Sequence, residues 1–342
     1  MSKTDGYKVG IVGAGMVGEA LVRVLEERDF PVSEFRIMAT SRRKEKLAGR
    51  ERQVVPASED QFDDLDIALF AGSEGAAGAS QQYGWQAVEK GVFVVDNGKD
   101  YRMDDRVPLV VPEVNGDALE DHQGFVANPN CSTTQMVVAL AALRQTAELE
   151  RVVVSTYQSV SGSGRGGVKA LNAQRQKPDQ EPTDEELGPY EYPIYDNAIP
   201  HVGSLKDEPE GYYSEELKMI QETRKILDMP ELPVTATCVR IPVSVSHGET
   251  MNVELSEEVS ADEAREALAD YPGVEVIDDP AQARYPTSRH AAGRDPVYVG
   301  RIRKDPSQPR TLDMWCVSDN LRKGAALNTV QIAEEAIKRN LV

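Results

Sequence analysis

The stretch that decides the fold is YKVGIVGAGMVG, which runs from Tyr7 to Gly18. Residues 7–12 form a short apolar run that predicts a β-strand, residues 13–18 have the pattern GxGxxG, and residues 19–28 have helical periodicity. This succession is the dinucleotide-binding fingerprint, because glycines permit a tight turn and the helix N-terminus receives a pyrophosphate. It predicts a Rossmann domain. The cofactor-binding residues expected in this turn are Gly13, Gly15, Met16 and Val17.

The end of the second predicted strand bears on the choice of cofactor. That strand covers residues 35–40, and an Asp or Glu after it would hold the ribose 2′-hydroxyl of NAD. The segment SRRK, residues 41–44, follows instead, and its hydroxyl and three cations suit the 2′-phosphate of NADP. The alternative is a basic loop solvated at the surface. We expect Ser41, Arg42 and Arg43 to bind NADP.

Further apolar runs continue the alternation of strand and helix in the first part of the chain. Strands are predicted at residues 66–71, 92–95 and 107–111. Small residues at 72–78 follow the first of these strands, where the backbone could approach a cofactor, and we expect Ser73 to contact it. Up to Asn128, the chain therefore predicts a doubly wound α/β domain with a ligand crevice at its strand ends.

From Val152 the strands become longer and more alternating, which predicts a mixed or antiparallel sheet. These strands are expected at residues 152–157, 234–245, 251–255, 297–304 and 311–317. Helices are expected at residues 168–176, 213–227, 261–270 and 325–340. The last helix is amphipathic, and we expect it to pack back on the first domain. The Pro- and acid-rich segment 179–210 is too long for a simple connection, and we expect it to cover a subunit interface or the active site.

The charge of the chain excludes some partners. With 38 Lys and Arg against 57 Asp and Glu, the net charge is −19, whereas nucleic acid and anionic membranes require a basic surface. A carboxylate-rich surface suits a host with high internal salt, and we infer a haloarchaeon.

Because the sequence has neither an apolar run long enough to span a membrane nor a signal-peptide core, we expect a soluble, cytoplasmic protein.

The three cysteines, Cys131, Cys238 and Cys316, are far apart in the sequence and form no CxxC pair. This spacing suggests neither a disulfide framework nor a zinc site. We therefore expect reduced thiols and no metal.

The segment NPNCSTTQM, residues 128–136, places Cys131 at the expected start of a buried helix. Asn130, Ser132 and Thr133 are good N-cap types, and Met, Val, Ala and Leu residues follow them. At a helix N-terminus the macrodipole favours a thiolate, and backbone N–H groups can stabilise an oxyanion. These are the conditions that a nucleophilic cysteine needs. The alternative is a small buried hydrophobic residue.

Four segments together resemble aspartate-semialdehyde dehydrogenase. They are residues 128–136 (NPNCSTTQM), 157–162 (YQSVSG), 238–249 (CVRIPVSVSHGE) and 319–328 (DNLRKGAALN). The resemblance runs from the glycine-rich turn to the last helix. It implies an NADP-binding Rossmann domain, residues 1–129 with 324–342, and an α+β mixed-sheet catalytic and dimerisation domain, residues 130–323. It also implies a homodimer or homotetramer.

The resemblance implies reductive dephosphorylation of L-aspartyl 4-phosphate to L-aspartate 4-semialdehyde with NADPH, in lysine (diaminopimelate), methionine, threonine and isoleucine biosynthesis. Cys131 would attack the acyl phosphate and expel phosphate, forming a thioester that hydride reduces to a thiohemiacetal. His247 matches the general acid/base of the family, and Gln158 matches the residue that orients the intermediate near the sulfur. The alternative for Gln158 is an amide that caps a strand end.

The resemblance assigns further residues to ligands. Those expected to bind substrate are Arg102, Asn130, Glu215, Lys218, Arg240 and Glu249, and those expected to bind cofactor include Ser161, Gly162 and Asn320. The fork of Arg240 suits bidentate capture of the α-carboxylate. Glu215 and Lys218 share a helix face, where they match residues that contact the substrate amino group and phosphate, although an ordinary ion pair has the same spacing. Glu249 is a second candidate for the ammonium.

The sequence departs from the family pattern in two places, and two alternative functions are considered. The first turn reads GAGMVG where the family commonly has GATGxVG, and residues 96–101 read DNGKDY where the family often has Ser-Ser-Ala-Phe.

The closest rival function is another phosphorylating aldehyde dehydrogenase, such as N-acetyl-glutamyl-phosphate reductase or glyceraldehyde-3-phosphate dehydrogenase. Arg240, Glu215 and Lys218 favour a free amino acid over an acetylated one. A catalytically silent NADP-binding sensor is the alternative of a different class.

Overall fold

The computed structural model describes residues 6–72 and 78–342. Ser73, a predicted cofactor residue, lies outside these ranges. The chain divides into two compact units, the first made of the described residues up to Asn130 together with Ala325–Val342, and the second of Cys131–Gly324. Within the described residues, no helix is long and apolar enough to cross a bilayer.

The strands belong to two sheets. Those of the first unit are β1 (Tyr7–Val12), β2 (Val32–Ala39), β3 (Arg43–Leu47), β4 (Arg50–Pro56), β5 (Ile67–Phe70), β6 (Phe93–Asp96) and β7 (Phe125–Ala127). Those of the second unit are β8 (Leu149–Gln158), β9 (Val234–Arg240), β10 (His247–Leu255), β11 (Val274–Val276), β12 (Val297–Lys304) and β13 (Thr311–Ser318).

The helices include three long elements that contact the first sheet and several that contact the second. In chain order they are α1 (Met16–Glu27), α2 (Ala79–Glu89), α3 (Pro112–Asn115), α4 (Cys131–Leu143), α5 (Gly164–Arg175), α6 (Asp184–Leu187), α7 (Ser214–Ile226), α8 (Ala261–Asp270), α9 (Ser288–Ala291) and α10 (Leu327–Lys338). The three on the first sheet are α1, α2 and α10. Short 3-10 turns occur at Glu59–Phe62, Gly116–Asp121, Val160–Ser163 and Pro280–Gln282, and a π-helical turn at Arg322–Ala326.

In the first unit, the described strands are ordered β3-β4-β2-β1-β5-β6-β7, and all neighbours are parallel except the β3–β4 pair. Because β1 pairs with β2 on one side and β5 on the other, its carboxyl end is the switch point at which such sheets bind ligands. Leu21, Leu25, Val330 and Ile332 belong to one buried cluster with residues of β1. The C-terminal helix α10 thus packs on the first unit, as predicted.

In the second unit, the described strands are ordered β11-β12-β13-β10-β8-β9, with parallel pairs at β8–β9 and β11–β12 and antiparallel pairs elsewhere. The predicted mixed sheet is therefore confirmed. Side chains of β10 alternate, so that His247, Glu249 and Met251 are buried while Thr250 is exposed. Helix α4 contacts β10 and β13 on the buried face.

Several predicted boundaries are wrong, each for a local reason. Residues 107–111 form only one bridge, from Leu109 to Ala127, because Pro108 has no N–H to donate and offers only its carbonyl to Ala127. Strand β9 stops at Arg240 rather than Val245, just before Pro242 interrupts the ladder. The predicted strand 251–255 begins earlier, so that β10 starts at His247.

The basic segment after β2 also differs from the predicted loop. Arg43 begins β3, which pairs with β4 as an antiparallel hairpin. Ala48 and Gly49 join the strands with positive φ angles of 49° and 81°, a conformation that hairpin turns require. Charged residues occupy both faces of β3 and β4, and this pattern hides the strands from a search for apolar alternation.

Candidate active site

Cys131 is the first residue of α4, as predicted, and its side chain is partly exposed. The polar residues that follow it, Ser132 to Gln135, are all buried. Gly324 packs directly against the cysteine, since a Cβ at Gly324 would lie 2.7 Å from the Cβ of Cys131. The start of α4 is therefore closely packed inside the second unit, and Cys131 is partly exposed whereas the four residues after it are buried.

Gln158, the last residue of β8, connects the start of α4 to α7. Its Nε2 donates to the hydroxyl of Ser132 at 2.8 Å and to Oε1 of Glu215 at 3.3 Å. The side chain is buried, and its Oε1 has no partner among the described residues. An amide oxygen of this kind is available to a ligand beside Cys131. If the amide only capped a strand end, its Oε1 would be a buried acceptor for which no hydrogen-bond donor is provided.

His247, the first residue of β10, is completely buried. The backbone N–H of Ser159 donates to its Nδ1 at 2.9 Å, and the Ser159 hydroxyl lies 3.1 Å from the same nitrogen. Burial lowers the pKa of His247 to about 3, and the positive charge of Arg240 adds to this effect while Glu215 opposes it. The ring is therefore neutral near pH 7. Within the described parts of the chain, Nε2 has no hydrogen-bond partner.

Arg240 ends β9 and is buried beside His247. Its Nη1 donates to the carbonyl of Ser159 at 2.7 Å. Gly162 supplies the space in front of both side chains, because a Cβ there would lie 2.7 Å from Arg240 Nη1 and 3.1 Å from His247 Nε2. The predicted cofactor residue Gly162 is thus adjacent to a predicted catalytic residue and a predicted substrate residue.

Glu215 and Lys218 lie on one face of α7, as their spacing predicted. Lys218 Nζ is 3.0 Å from Glu215 Oε2, and the carboxylate is almost buried whereas the ammonium is partly exposed. Because the other carboxylate oxygen accepts from Gln158, α7 brings one group of each charge sign into this network. Both signs are needed for an amino acid that carries a phosphate.

The segment after β8 is fixed by Asn320. Its Oδ1 accepts from the Ser159 hydroxyl at 3.2 Å, the Ser161 hydroxyl at 3.0 Å and the Ser246 N–H at 2.9 Å. The predicted cofactor residues Ser161 and Asn320 are therefore joined to the histidine through Ser159. Sequence reasoning missed Ser159, although its position between Gln158 and Ser161, both predicted, was a signal.

The acid-rich segment 179–210 contributes packing next to these residues. Ile194 and Ile199 are buried in one cluster with Val160 and Leu171. The backbone of Ile199 also exchanges hydrogen bonds with that of Arg240, at 2.9 and 2.8 Å. The segment thus supports the ends of β8 and β9 that carry the candidate catalytic residues.

Glu249 does not fit its predicted role as an ammonium ligand. It is completely buried on β10, opposite Cys316 of β13. Burial raises the pKa of Glu249 well above its usual range, with only a smaller opposing effect from Gln135. A carboxyl group without exposure, whose charged form is disfavoured by burial, is poorly suited to bind a substrate cation, so proximity in sequence to His247 was misleading here.

The glycine-rich turn of the first unit fits a dinucleotide. Gly13 has a φ of 113°, and a Cβ at Gly18 would lie 1.8 Å from the carbonyl oxygen of Gly13. Gly15, the N-cap of α1, has no side-chain cap, and a Cβ added to it would meet nothing within 4 Å. Met16 and Val17 follow as the first helical residues. The turn therefore leaves open backbone at the N-terminus of α1, as a pyrophosphate requires.

The residues predicted to bind the 2′-phosphate follow the end of β2. Ser41 and Arg42 are exposed, and Arg43 forms an ion pair with Glu45, with 2.6 Å between Nη2 and Oε2. A second nitrogen of Arg43 donates to the Ser41 carbonyl at 3.1 Å. Arg42 is therefore the arginine of this segment that extends into solvent, whereas Arg43 is tied to its own hairpin.

Two predicted substrate residues belong to the first unit. Arg102 is buried and donates through Nη2 to the carbonyl of Asn97 at 2.8 Å. Burial raises the pKa of nearby Asp96 to about 6, and the charge of Arg102 acts in the opposite direction. Asn130, also buried, immediately precedes Cys131.

Comparison with known proteins gives full-length similarities. Family models described as "Semialdehyde dehydrogenase, NAD binding domain" and "Semialdehyde dehydrogenase, dimerisation domain" match residues 8–122 and 140–323. The aspartate-semialdehyde dehydrogenase of Aquifex aeolicus is 46% identical over 98% of this chain and 100% of that protein. The Bacillus subtilis enzyme of the same name is 43% identical over 98% and 99%. The crystal structure of aspartate semialdehyde dehydrogenase II from Vibrio cholerae, complexed with ASA, is similar with a TM-score of 0.90 at 38% identity, over 98% and 99% of the two chains.

Proposed function

This chain belongs to the aspartate-semialdehyde dehydrogenase family, and from that premise we propose how its own residues carry out the reaction. The protein is an NADP-dependent oxidoreductase that converts L-aspartyl 4-phosphate to L-aspartate 4-semialdehyde and phosphate. This reaction belongs to lysine, methionine, threonine and isoleucine biosynthesis.

Cys131 is the nucleophile of the proposal. Its sulfur forms a bond to the acyl carbon of the substrate, and the bond from that carbon to the phosphate oxygen breaks. The product is a thioester on the enzyme and free phosphate. The start of α4 supports this step, because a helix N-terminus stabilises a thiolate and presents N–H groups to the substrate oxygen.

NADPH, when bound, supplies the hydride that reduces the thioester, and the resulting thiohemiacetal releases the aldehyde and regenerates the Cys131 thiolate. The backbone around Gly13 and Gly15 is proposed to hold the pyrophosphate. Arg42, with Ser41 and Arg43, is proposed to hold the 2′-phosphate. Ser161, Gly162 and Asn320 remain proposed cofactor residues of the second unit.

Side chains of both charges are proposed to recognise the substrate. Arg240 binds the α-carboxylate, Glu215 the ammonium, and Lys218 the phosphate, with Arg102 and Asn130 as further phosphate ligands. Arg240 and Lys218 are complementary to the two anionic groups of such a substrate, and Glu215 is complementary to its ammonium. This pattern favours a free amino acid over the acetylated substrate of the rival enzyme.

The observation that carries the proposal is the hydrogen-bond chain through two adjacent residues. Gln158 donates to Ser132, next to Cys131, while Ser159 donates to His247. Within the described residues, the chain leaves Gln158 Oε1 and His247 Nε2 without partners. A buried polar atom without a partner is costly unless a ligand satisfies it. The amide is thus bonded to the residue that follows the nucleophile, the imidazole is bonded to the residue that follows the amide, and two buried polar atoms are left for substrate.

The two units are proposed to divide the work. We propose that residues 1–129 with 324–342 bind NADP and that residues 130–323 carry the catalytic and dimerisation functions. We propose a homodimer or a homotetramer. Light scattering at several protein concentrations would distinguish these states.

We also propose a haloarchaeal type of enzyme working in a saline cytoplasm. The support is the net charge of −19, since salt screens the repulsion between surface carboxylates. Activity is expected to rise with KCl concentration. An optimum at low salt would contradict this part of the proposal.

One substrate comparison tests the function. In strong salt, purified protein should reduce NADP in the presence of phosphate and aspartate semialdehyde, and much less with N-acetylglutamate semialdehyde. The same assay with NAD measures cofactor preference. Faster turnover of the acetylated aldehyde would favour N-acetyl-glutamyl-phosphate reductase, and no turnover of either aldehyde would favour a silent NADP-binding protein.

A further inference from the structure

We propose that Asp96 is a positioning residue for phosphate binding at residues 96–102, a segment that we call the β6 turn because it begins at the end of β6. Its buried carboxyl group acts through Arg102. The neutral carboxyl group leaves the guanidinium fully available to phosphate, whereas the ionised carboxylate weakens phosphate binding. This inference rests on the proposed function of Arg102 as a phosphate ligand.

The β6 turn is fixed to the first sheet and closes on itself. Asn97 donates twice to the carbonyl of Phe70, through its backbone N–H at 3.1 Å and its side chain at 2.8 Å. Its Oδ1 accepts from the hydroxyl of Thr329 at 3.0 Å. Because Arg102 Nη2 donates to the Asn97 carbonyl at 2.8 Å, the guanidinium returns to the start of the turn, next in sequence to Asp96.

The carboxyl group of Asp96 is enclosed at the start of this turn. Asp96 is the last residue of β6 and is completely buried. Its Oδ1 accepts from the N–H of Gly98 at 2.8 Å, whereas its Oδ2 has no hydrogen-bond partner among the described residues. The charge of Arg102 nevertheless acts on this group. The two side chains are therefore coupled through charge.

Asp96 changes its charge close to neutrality. Burial raises the pKa of Asp96 to about 6, although the N–H of Gly98 and the charge of Arg102 both oppose this effect. A raised carboxyl pKa means that the neutral form persists to higher pH. Asp96 is thus mostly neutral below about pH 6 and mostly negative above it.

The elements packed around Asp96 bring no further charge to it within the described residues. Asp96 pairs in register with Phe70 of β5 and Ala127 of β7, which are apolar. Helices α2 and α10 also contact β6. In α2 the first charged residue is Glu89, at its last position, and in α10 it is Glu334, in the second half of the helix.

The titratable groups near Asp96 therefore belong to the β6 turn itself. They are Lys99, which is exposed, Asp100, Tyr101 and Arg102. Asp100 favours the neutral form of Asp96, and Arg102 favours the charged form. Burial raises the pKa of Tyr101 above its usual range, so its phenol stays neutral where Asp96 titrates.

The charge on Asp96 should decide how strongly this turn attracts an anion. A phosphate held by Arg102 brings negative charge toward the guanidinium that already interacts with Asp96. An ionised Asp96 competes for that guanidinium and repels the phosphate, and its burial limits screening by salt. We expect affinity to differ by roughly three- to tenfold between the two charge states. By linkage, bound phosphate should raise the pKa of Asp96 correspondingly.

Inorganic sulfate tests this inference, because it keeps both negative charges at every pH used, whereas phosphate titrates near neutrality. In calorimetric titrations of the full-length protein at constant KCl, Asp96→Asn should bind sulfate roughly three- to tenfold more tightly than the wild type at about pH 7.5. At about pH 5 the two proteins should agree, because wild-type Asp96 is then mostly neutral. Unchanged or weaker binding by folded Asp96→Asn at the higher pH would overturn the proposal.

The wild-type pH profile gives a test that does not depend on the folding of a variant. Sulfate affinity should fall as pH rises from about 5 to about 7.5, with its midpoint near the Asp96 pKa of about 6. A loss of structure alone would not place a midpoint there. A flat wild-type profile would contradict the proposal.

Asp104→Asn is the matched control. It removes the same charge from a residue just beyond the β6 turn, where Asp104 forms an ion pair with Arg106 at 2.6 Å. Sulfate affinity and its pH dependence should be unchanged in this variant. An effect as large as that of Asp96→Asn would mean that net charge, and not the buried carboxyl group, controls binding.

Arg102→Gln identifies the residue through which Asp96 acts. It should weaken sulfate binding at both pH values and abolish the effect of Asp96→Asn in the double variant. A difference that persisted without Arg102 would show that Asp96 does not act through it. In turnover, Asp96→Asn should lower the KM for phosphate near pH 7.5 by the same factor as in sulfate binding, with little change in kcat.

Sulfate titration requires no turnover, so it separates this inference from the proposed function. Failure of the wild type to oxidise aspartate semialdehyde would refute that function, while the sulfate data would still decide the role of Asp96. Normal turnover with identical sulfate binding by wild type and Asp96→Asn at each pH would refute only the role of Asp96.

Discussion

Helices α1 and α4 both begin at candidate ligand sites, yet their first turns are built in opposite ways. The start of α1 is exposed backbone, with Gly15 as an N-cap that lacks any side-chain hydrogen bond. The start of α4 is a cysteine followed by four buried polar residues, Ser132 to Gln135. The macrodipole is common to both, so the difference lies in the side chains.

This difference shows how one local structure can serve two tasks. A bare turn suits a large anion, because the backbone N–H groups are approached closely and no side chain intervenes. A turn surrounded by polar side chains suits covalent chemistry, because hydrogen bonds between them fix the groups beside the nucleophile. Here Gln158 donates to the hydroxyl of Ser132, the residue after Cys131. Cofactor binding at α1 should therefore depend on the lack of side chains over its first turn. Catalysis at α4 should instead depend on the polar side chains around its first turn.

The strongest test of this contrast is Cys131→Ala. Removal of the sulfur should lower turnover of aspartate semialdehyde by roughly 10⁴-fold or more, because no thioester can form. NADP affinity, measured by fluorescence titration, should be unchanged within experimental error. Undiminished turnover would remove the thioester mechanism, and a matching loss of NADP affinity would mean that the variant is not correctly folded.

Gln158→Ala tests the side-chain network at α4. We expect kcat to fall by roughly 10²-fold, since the variant loses a buried donor and an orienting oxygen. Ser132→Ala is its control, because it removes only the hydroxyl that accepts from Gln158 at 2.8 Å. If Ser132→Ala lost as much kcat as Gln158→Ala, the amide would act by holding α4 and not by orienting the substrate.

Two glycines at α1 should respond differently to the same added methyl group. Gly18→Ala places a Cβ 1.8 Å from the Gly13 carbonyl oxygen, so it should lower the free energy of unfolding by about 1–3 kcal/mol. Gly15→Ala meets nothing within 4 Å and should leave stability unchanged, while weakening NADP about tenfold by blocking the pyrophosphate. Urea titration and NADP binding measure the two effects. Unaltered NADP affinity in Gly15→Ala would place the pyrophosphate elsewhere.

The smallest expected effect is on cofactor choice. Arg42→Asp should weaken NADP roughly tenfold relative to NAD, because an exposed cation that contacts the 2′-phosphate becomes an anion. Arg43→Asp should shift the preference less, since Arg43 is already paired with Glu45. The measurement is kcat/KM with each cofactor. Equal loss for NADP and NAD in Arg42→Asp would exclude it from 2′-phosphate binding.

The parts of the fold that the sequence predicted well are those with strong local signals. The run from Tyr7 to Gly18 combines an apolar strand with glycines, and Cys131 follows an Asn-Pro-Asn segment that favours a helix start. In contrast, β7 is only three residues long, from Phe125 to Ala127, and no periodicity can be measured over so short a run. The nearby apolar residues 107–111 were predicted instead, although they pair only once.

The sequence indicated Gln158, Arg240 and His247 as candidates for one site, but it did not indicate the hydrogen bonds that connect them. Gln158, Arg240 and His247 lie at ends of different strands, and their hydrogen bonds depend on the register of the sheet. Ser159 contacts His247 through its backbone N–H, which every residue except proline carries, so the residue type gives no sign of this role and only its position between two predicted residues does. Glu249 shows the opposite error, since alternation along β10 places it on the same buried face as His247, where it has no exposure.

Glu249 has a consequence for the conditions that this protein tolerates. Its raised folded pKa means that the chain takes up a proton there when it folds above about pH 4.5, the ordinary value for a free glutamic acid side chain. The folded state binds more protons than the unfolded state in that window, so this residue makes the native state less stable as pH rises. Glu249→Gln should remove this contribution, so the melting temperature of the variant should decline less than that of the wild type as pH rises above about 4.5.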